Sequence, residues 1–292
     1  MRLATRAPAK VNLSLRVIGR RADGYHELDS LVAFAGVGDE LSLSPGEPGD
    51  MSISGPFASS LSTGPDNLVL KAERELREEI AGLRSGRFHL VKRLPVASGI
   101  GGGSADAAAA LRLLARLNDL PLSHPALLAT AGRVGADVPV CLEARARVMR
   151  GIGEKLGPVQ RLPRLFALLV NPGLAVETAA VFRALGLQPG EGHAVAVEPY
   201  KAEEPSPATA TELIDVLAAT GNDLELPARA VAPAIGEMLS ALSALPGCRL
   251  ARMSGSGATC FALFDDCRAS AAAAKQLPFQ HPGWWVKPTM LR

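Results

Sequence analysis

The segment from Ser98 to Ser104 is the part of this 292-residue sequence whose residue types point most directly to chemistry. It contains Gly99 and the run from Gly101 to Gly103, follows a predicted strand and leads into an Ala- and Leu-rich helix. Glycines let backbone amides approach a ligand, and free amides in the first turn of a helix attract anions. Ser104 is expected either to cap the helix or to reach a Mg²⁺ ion bound to the phosphates, and the segment predicts a phosphate-binding loop in preference to a flexible connection.

The glycine spacing excludes two common nucleotide loops. No Lys-Ser or Lys-Thr pair follows the glycines, so the segment is not a Walker A loop, and it also differs from the dinucleotide-binding fingerprint. Asp106, in the first turn of the predicted helix, is interpreted as a structural or dipole-complementing residue and not as a ligand.

Two charged residues, Lys10 and Asp137, have the chemistry to complete a phosphoryl-transfer site. Such a site needs a cation near the transferred phosphoryl group and often a carboxylate that orients or deprotonates the acceptor hydroxyl. Each residue also has a simpler explanation, because Lys10 would suit an exposed strand edge and Asp137, in Gly-Ala-Asp-Val-Pro, a turn or helix terminus. Only in combination with the glycine loop do they indicate catalysis.

Two further segments are candidates for ligand contact. In Asp-Gly-Tyr-His, Tyr25 offers an aromatic face for a base or ring, whereas a lone histidine such as His26 is more often structural. The loop from Ser254 to Gly257 lies between two predicted strands. It fits a tight hairpin, close approach of a ligand, or close approach of the first glycine loop.

Hydrophobic periodicity predicts the elements that must position these residues. From Lys10 to Val17 apolar and polar residues alternate, which indicates a half-buried strand with Lys10 and Asn12 on its polar face. Further strands are predicted near residues 26–34, 40–44, 51–54, 88–94, 164–170, 249–253, 259–264 and 285–288. Helices are predicted near residues 67–82, 107–117, 125–133, 178–185, 211–219, 228–245 and 270–276.

The length of the chain corresponds to about two domains. The mixture of strands and helices predicts an α+β fold, and we place the domain boundary near residue 160, giving domains 1–160 and 161–292. A polar loop containing proline and glutamate is predicted over 189–207.

The composition is that of a folded protein with little net charge. Hydrophobic residues make up 48% of the chain, and 31 Lys and Arg oppose 29 Asp and Glu for a net charge of +2. This balance argues against binding of nucleic acid by bulk neutralisation of phosphates, and no uncharged apolar run reaches the roughly 18 residues of a membrane span. The four cysteines lack metal-binding spacing. We therefore expect a soluble cytoplasmic protein without a nucleic-acid partner, a membrane span or a protein-ligated metal.

Three motifs, taken in order, resemble the GHMP kinase superfamily of small-molecule kinases. They are Pro8-Ala9-Lys10-Val11-Asn12, the segment from Pro95 to Ser104, and Met253-Ser254-Gly255-Ser256-Gly257-Ala258. Within the superfamily, the segments Arg21-Ala22-Asp23-Gly24-Tyr25-His26-Glu27-Leu28 and Gly135-Ala136-Asp137-Val138-Pro139 are similar to those of kinases in the non-mevalonate isoprenoid pathway.

The resemblance implies a two-domain fold. Its N-terminal domain is expected to be like the second domain of ribosomal protein S5, and its C-terminal domain to be ferredoxin-like. The implied reaction moves the γ-phosphoryl group of ATP to the C2 hydroxyl of 4-diphosphocytidyl-2-C-methyl-D-erythritol, a cytidyl diphosphate alcohol. ATP and Mg²⁺ are the implied cofactors, with Mg²⁺ bound mainly through the nucleotide.

Residue roles also follow from the resemblance. It implies that Lys10 and Asp137 are catalytic and that Tyr25 and Phe182 sandwich the cytosine. The implied ATP-binding residues are Pro95, Val96, Ala97, Ser98, Gly99, Ile100, Gly101, Gly102, Gly103, Ser104 and Ala105. The implied substrate-binding residues are Asn12, Tyr25, His26, Thr178, Phe182, Gly255 and Ser256.

Two alternatives remain open at this point. The chain is either a GHMP kinase for another alcohol, such as homoserine, a sugar or a mevalonate derivative, or a nucleotide-binding protein that has lost catalysis. Retention of both Lys10 and Asp137 argues against the second alternative. A monomer and a homodimer are both compatible with the sequence.

Overall fold

The computed structural model describes residues 2–192 and 207–292, which form two compact units. The first unit contains the chain up to Lys10 together with Val37–Val96 and Gly101–Ala144, and the second contains Val11–Gly36, Ala97–Ile100 and Arg145–Arg292. Both units mix strands and helices, as the α+β prediction requires. Each takes segments from distant parts of the sequence, so the boundary near residue 160 stays a prediction.

The first unit combines a small sheet with a group of helices. Strand β5 pairs antiparallel with the C-terminal half of β3 and parallel with β4, and β1 also pairs with β3. The strands are β1 (Leu3–Asn12), β3 (His26–Pro45), β4 (Met51–Ser54) and β5 (Gly86–Val91). The helices are α1 (Leu68–Glu79), α2 (Gly102–Leu117), α3 (Pro125–Val134) and α4 (Val138–Glu143).

Helix α2 is the centre of the helical layer of the first unit. It contacts α1, α3 and α4, and a run of buried alanines from Ala107 to Ala110 lets these neighbours approach closely. The helix begins at Gly102, five residues before the predicted start. Its N-cap residue is Gly101, in the left-handed region at φ +61°, so the prediction that Ser104 caps the helix is wrong. A glycine adopts this conformation without strain.

The second unit contains an antiparallel sheet in the order β11-β8-β10-β9. With the helices that follow β8 and β10, this is the βαββαβ order of a ferredoxin-like domain, as expected. The strands are β8 (Leu165–Asn171), β9 (Cys248–Met253), β10 (Cys260–Phe264) and β11 (Trp285–Leu291). The helices are α5 (Thr178–Leu185), α6 (Ala210–Thr220), α7 (Glu225–Val231), α8 (Ala234–Ser243) and α9 (Cys267–Gln280).

A second group of strands in this unit surrounds the start of β3. Strand β2 (Arg16–Arg20) and strand β6 (Arg147–Gly151) pair antiparallel with that part of β3, and β7 (Lys155–Val159) pairs with β6. Strands β6 and β7 were not predicted from the sequence.

The prediction of a half-buried strand from Lys10 to Val17 is wrong. The extended run divides into β1 and β2, and its polar side chains are as buried as its apolar ones. In the second unit their polar groups are paired, because Arg16 forms a salt bridge of 3.1 Å with Asp223 and the Asn12 amide donates to Ser30. Alternation indicated which residues share a face, but it carried no information about what covers the polar face.

The helix predicted over 228–245 is also wrong as a single element. Pro233 ends α7 and begins α8, and Ala232 before it is not helical. The ring of a proline disfavours helical geometry at the preceding residue. Of the predicted loop over 189–207, residues 193–206 lie outside the described part of the chain.

Across residues 2–192 and 207–292, none of the helices combines the length and the apolar character needed to cross a membrane.

The core of the second unit gives a stability prediction. Phe264 is buried in the cluster formed by the sheet and its helices, whereas Phe279 near the end of α9 is 90% exposed. We expect Phe264→Ala to lower the free energy of unfolding by about 3–5 kcal/mol, and Phe279→Ala to change it by less than about 0.5 kcal/mol. Chemical denaturation of both variants measures the difference, and equal losses would contradict the placement of the core.

Candidate active site

Lys10 and Asp137 form an ion pair in the first unit. The Lys10 Nζ atom lies 3.0 Å from Asp137 Oδ2, although the residues come from opposite ends of this unit's sequence. Lys10 near the end of β1 is only 4% exposed, so it does not lie on an exposed edge. Asp137 occupies the N-cap position of α4, but its carboxylate accepts no hydrogen bond from that helix. The carboxylate is 35% exposed and faces the ammonium instead.

This ion pair lies against the start of α2. A Cβ atom built on Gly101 would stand 3.2 Å from Lys10 Cε and 3.8 Å from Asp137 Oδ2. No side chain caps α2 at Gly101, so the amides of the first turn have no side-chain acceptor at the N-cap. Uncapped amides and the helix dipole attract an anion. The first unit therefore places a cation, a carboxylate and an anion-binding helix start together.

The glycine loop belongs to both units along its length. Pro95, Val96 and the residues from Gly101 onward lie in the first unit, and Ala97–Ile100 lie in the second. In the second unit, Ser254 Oγ donates to the Gly99 carbonyl at 3.1 Å.

Gly99 packs directly against the loop between β9 and β10. Its φ is +74°, and a Cβ atom there would lie 2.6 Å from the carbonyl oxygens of Ser254 and Gly257. Because only glycine fits, the loop between β9 and β10 serves close approach of the first glycine loop. Of the uses left open by the sequence, the structure shows two: the segment connects two paired antiparallel strands, and it lies against the first glycine loop.

Asn12 and Gly255 lie close together in the second unit. The Asn12 backbone amide donates to Ser254 Oγ at 3.0 Å, and its side-chain amide donates to Ser30 Oγ at 2.7 Å. A Cβ atom on Gly255 would stand 3.3 Å from Asn12 Oδ1. Thr178 and Ser256, also in this unit, share a hydrogen bond of 2.9 Å between their hydroxyl groups.

His26 and Phe182 stack in the second unit, with ring centroids 4.5 Å apart and an interplanar angle of 27°. Burial, and secondarily the positive charge of Arg20, lowers the pKa of His26 below 6.5. Among the residues the structure describes, the buried Nε2 atom of His26 has no hydrogen-bond partner, although a buried polar atom is normally paired. Tyr25 is 60% exposed. The structure thus shows a partly buried imidazole that stacks on an aromatic ring and has one unsatisfied nitrogen.

Two contacts near the site were not predicted from the sequence, although Asp106 was recognised as a structural residue. In the second unit, Asn222 Nδ2 donates to the carbonyl oxygens of Met253 (2.8 Å) and Gly255 (2.9 Å), which fixes the second glycine loop. In the first unit, Lys92 pairs with Asp39 and Asp106 under the start of α2. The Gly-Asn-Asp run around residue 222 is typical of a turn, which by itself does not indicate a role beside a second loop. A lysine in an apolar strand pattern indicated nothing, because its partners are distant in sequence.

Neither metal ligation nor disulfide bonding is evident in the residues the structure describes. Among 2–192 and 207–292, no three His, Cys, Asp or Glu residues cluster in a way that could hold a metal ion. The four cysteines are free thiols, and burial raises the pKa of Cys141 to about 12. The protein therefore provides no metal cage of its own in these ranges.

Comparison with known proteins gives matches along the whole chain. The family model for the N-terminal domain of GHMP kinases matches residues 67–145, and the model for their C-terminal domain matches residues 201–282. The 4-diphosphocytidyl-2-C-methyl-D-erythritol kinase of Methylobacterium radiotolerans is 61% identical over 292 residues, covering 99% of each chain. The enzyme of the same name from Xanthobacter autotrophicus is 55% identical, again covering 99% of each chain.

Solved structures agree with these matches. A crystal structure of 4-(cytidine 5'-diphospho)-2C-methyl-D-erythritol kinase is 34% identical and superimposes with a TM-score of 0.76, covering 99% of each chain. Homoserine kinase from Cytophaga hutchinsonii has a TM-score of 0.62 at 19% identity, covering all of this chain and 94% of the other, and shows the shared fold alone.

The tight fit at Gly101 leads to a stability prediction. In Gly101→Ala, either the alanine adopts the unfavourable left-handed conformation or the Lys10 side chain shifts away from the added Cβ atom. We expect the free energy of unfolding to fall by about 1–2 kcal/mol. Gly132→Ala in α3 is the matched control, because nothing lies within 4 Å of the added atom and alanine favours helix. Urea denaturation measures both, and equal stability of the two variants would refute the tight fit at Gly101.

His26 gives a prediction on protonation. Because its pKa lies below 6.5, the folded protein binds a proton less tightly than the unfolded chain, so stability falls as the pH drops below 6.5. NMR titration of the His26 ring should give a midpoint below 6.5. Arg20→Gln should raise this midpoint part of the way towards 6.5, because it removes a nearby positive charge. Arg21→Gln, which removes an arginine from the exposed Arg21–Asp23 pair, should leave the midpoint unchanged. A wild-type midpoint at or above 6.5 would contradict the burial of the ring.

Proposed function

The chain belongs to the 4-diphosphocytidyl-2-C-methyl-D-erythritol kinases of the GHMP kinase superfamily, and on that premise we propose that Lys10 and Asp137 carry out its phosphoryl transfer. The protein is a kinase that uses ATP as phosphate donor and acts on 4-diphosphocytidyl-2-C-methyl-D-erythritol in the non-mevalonate route to isoprenoids. The observation that carries the proposal is the Lys10–Asp137 ion pair against Gly101 at the start of α2.

In the proposed step, Asp137 orients the C2 hydroxyl of the substrate and accepts its proton. The C2 oxygen then forms a bond to the γ-phosphorus of ATP, and the bond from that phosphorus to the β–γ bridging oxygen breaks, releasing ADP. Two features of Asp137 support the role: its carboxylate is partly exposed, and it does not cap α4. General-base catalysis of this kind requires a carboxylate within hydrogen-bond reach of the hydroxyl.

Lys10 stabilises the negative charge that develops on the transferred phosphoryl group. Its ammonium is almost fully buried, so solvent does not screen it strongly, and the ion pair fixes its position beside the start of α2. Electrostatic stabilisation by a preorganised cation is the main contribution that proteins make to phosphoryl transfer.

The backbone amides from Gly101 to Ser104, within the ATP-binding segment from Pro95 to Ala105, hold the ATP phosphates. The support is the uncapped start of α2, where Gly101 at φ +61° leaves the amides of the first turn without a side-chain acceptor. Mg²⁺, when it accompanies the nucleotide, neutralises phosphate charge. The ion would be bound mainly through the nucleotide, since Mg²⁺ usually takes few protein ligands and keeps substrate phosphates and waters.

The cytidyl end of the substrate is assigned to the second unit. His26 stacks on Phe182 and has one buried nitrogen, Nε2, whose hydrogen-bonding capacity is unused within the described residues, which supports a place for it beside the cytosine. Phe182 and Tyr25 provide the aromatic faces that would sandwich the ring. Polar groups of the second unit are assigned to the phosphates or the cytidine of the substrate. They belong to Asn12, Thr178, Gly255 and Ser256.

We place the reaction in the cytoplasm, and the free cysteines fit a reducing compartment. The proposal is compatible with a monomer and with a homodimer.

A coupled assay of ADP release tests the substrate assignment. The enzyme should release ADP with 4-diphosphocytidyl-2-C-methyl-D-erythritol and not in the control that omits it. Homoserine, galactose and mevalonate serve as competing alcohols. Turnover with one of these and not with the cytidyl substrate would replace the proposal with another GHMP kinase activity, and absence of turnover with all of them would indicate a non-catalytic nucleotide-binding protein.

Substitution of the ion pair tests the catalytic roles. Asp137→Asn should lower kcat by about 10²- to 10⁴-fold while ATP still binds, because the variant cannot accept the proton. Lys10→Ala should lower kcat more than it raises KM for ATP. Asp119→Asn is the control, since this carboxylate is exposed and pairs only with the exposed Arg84 in its salt bridge. Wild-type turnover by Asp137→Asn would disprove the base assignment, and a pure KM effect at Lys10 would reduce it to a binding contact.

A further inference from the structure

A buried group of three charges lies under the start of α2 in the first unit. Lys92 Nζ is 2.7 Å from Asp39 Oδ2 and 2.6 Å from Asp106 Oδ2, and its side chain is only 1% exposed. We call these residues the Asp39–Lys92–Asp106 triad. Three elements contribute to it: Asp39 from β3, Lys92 from the segment after β5, and Asp106 from α2.

The two carboxylates of the triad have different surroundings. Asp39 is fully engaged, because besides Lys92 it accepts hydrogen bonds from the backbone amides of Arg93 (2.5 Å) and Leu94 (2.9 Å). Asp106 accepts from Lys92 through Oδ2, and among the residues the structure describes its buried Oδ1 atom has no partner. These hydrogen bonds therefore stabilise the charged form of Asp39, and the charged form of Asp106 is stabilised much less.

The net charge of the triad also indicates that one of its carboxylates is protonated. With both carboxylates ionised, the buried triad carries a net charge of −1, whereas one bound proton makes it neutral. Burying an uncompensated charge is costly, and a group in that position takes up a proton instead. Burial raises the pKa of Asp106 to about 8, with Lys92 opposing and Asp39 adding to the effect. For Lys92, burial lowers the pKa, but the two carboxylates outweigh it and the net pKa is raised.

The triad lies close to the backbone that forms the anion-binding helix start. A Cβ atom on Gly102, the first residue of α2, would stand 3.1 Å from Lys92 Nζ, and Asp106 is one helical turn further along. A charge of −1 at this depth would offset the positive potential at the start of the helix and repel bound phosphates, and the low local dielectric would strengthen that repulsion. A neutral triad leaves the anion site intact.

We propose that Asp106 carries a proton in the enzyme at neutral pH, which keeps the triad neutral beneath the phosphate loop, and that ionisation of Asp106 in alkaline solution weakens ATP binding. The inference rests on the proposed function, because it takes the start of α2 as the site of the ATP phosphates. Asp106 acts here as a positioning residue through the charge it adds or withholds, and it does not touch the nucleotide.

The other groups around Asp106 do not supply this switch. From α4, the Cys141 thiol faces Asp106, but burial keeps it protonated, with a pKa of about 12. From α1, Leu68 packs against the first turn of α2 and carries no charge. Lys10 and Asp137 lie across Gly101 and are present in every variant of the test below.

Asp106→Asn tests the inference because asparagine matches the neutral acid in shape and cannot ionise. KM for ATP is measured from pH 6.5 to 9.5 for wild type and Asp106→Asn, and the ratio of the two values cancels the titration of ATP and of shared groups. We expect wild-type KM to rise relative to the variant by on the order of tenfold above about pH 8. Asp119→Asn, an exposed aspartate, should follow wild type. A ratio that stays constant with pH overturns the inference.

A direct titration keeps the inference testable if the variant does not fold. In wild type labelled with ¹³C at the aspartate carboxyl carbons, one resonance should titrate near pH 8 in the absence of ATP. If every aspartate is already ionised at pH 6.5, the inference fails while the proposed function stands. If the carboxyl titrates near pH 8 but wild type neither binds nor hydrolyses ATP, the proposed function fails, and the link from Asp106 to ATP fails with it.

Discussion

The start of α2 is a helix terminus that no side chain caps, and the rest of the candidate site depends on that constraint. Free amides at a helix start need an acceptor, and a phosphate group provides one. Gly101 makes the terminus possible, because a left-handed residue without a Cβ atom turns the chain into the helix and leaves room for Lys10 and Asp137 beside it. One conformational property thus creates both the anion site and the space for the catalytic pair.

Charges around this terminus are arranged in two layers of the first unit. The Lys10–Asp137 pair lies beside Gly101 with a partly exposed carboxylate, where it is accessible to a substrate hydroxyl. The triad that contains Lys92 lies beneath the first turn and is closed to solvent. The two groups differ in burial. The partly exposed carboxylate of Asp137 can accept a proton from a substrate hydroxyl, whereas a buried carboxylate with one unpaired oxygen, such as that of Asp106, tends to keep its proton.

Much of the fold followed from local patterns. Helix α5 was predicted with its observed bounds, and the elements of the ferredoxin-like sheet were located to within a few residues. The errors arose where distant parts of the chain decide the outcome. The polar face around Asn12 is buried by the remainder of the second unit, the helix start at Gly102 depends on the glycine conformation, and Pro233 divides a run whose hydrophobic pattern is continuous.

By itself the sequence determined the glycine loops, the identities of Lys10 and Asp137, and the resemblance to a kinase family, because these depend on residue type and short-range spacing. The tertiary structure decided which charges meet. The pairing of Lys10 with Asp137, the stacking of His26 on Phe182 and the presence of two carboxylates on Lys92 all join residues that are remote in sequence. Coulomb energies and desolvation depend on distance and burial in three dimensions, and a linear pattern carries neither quantity.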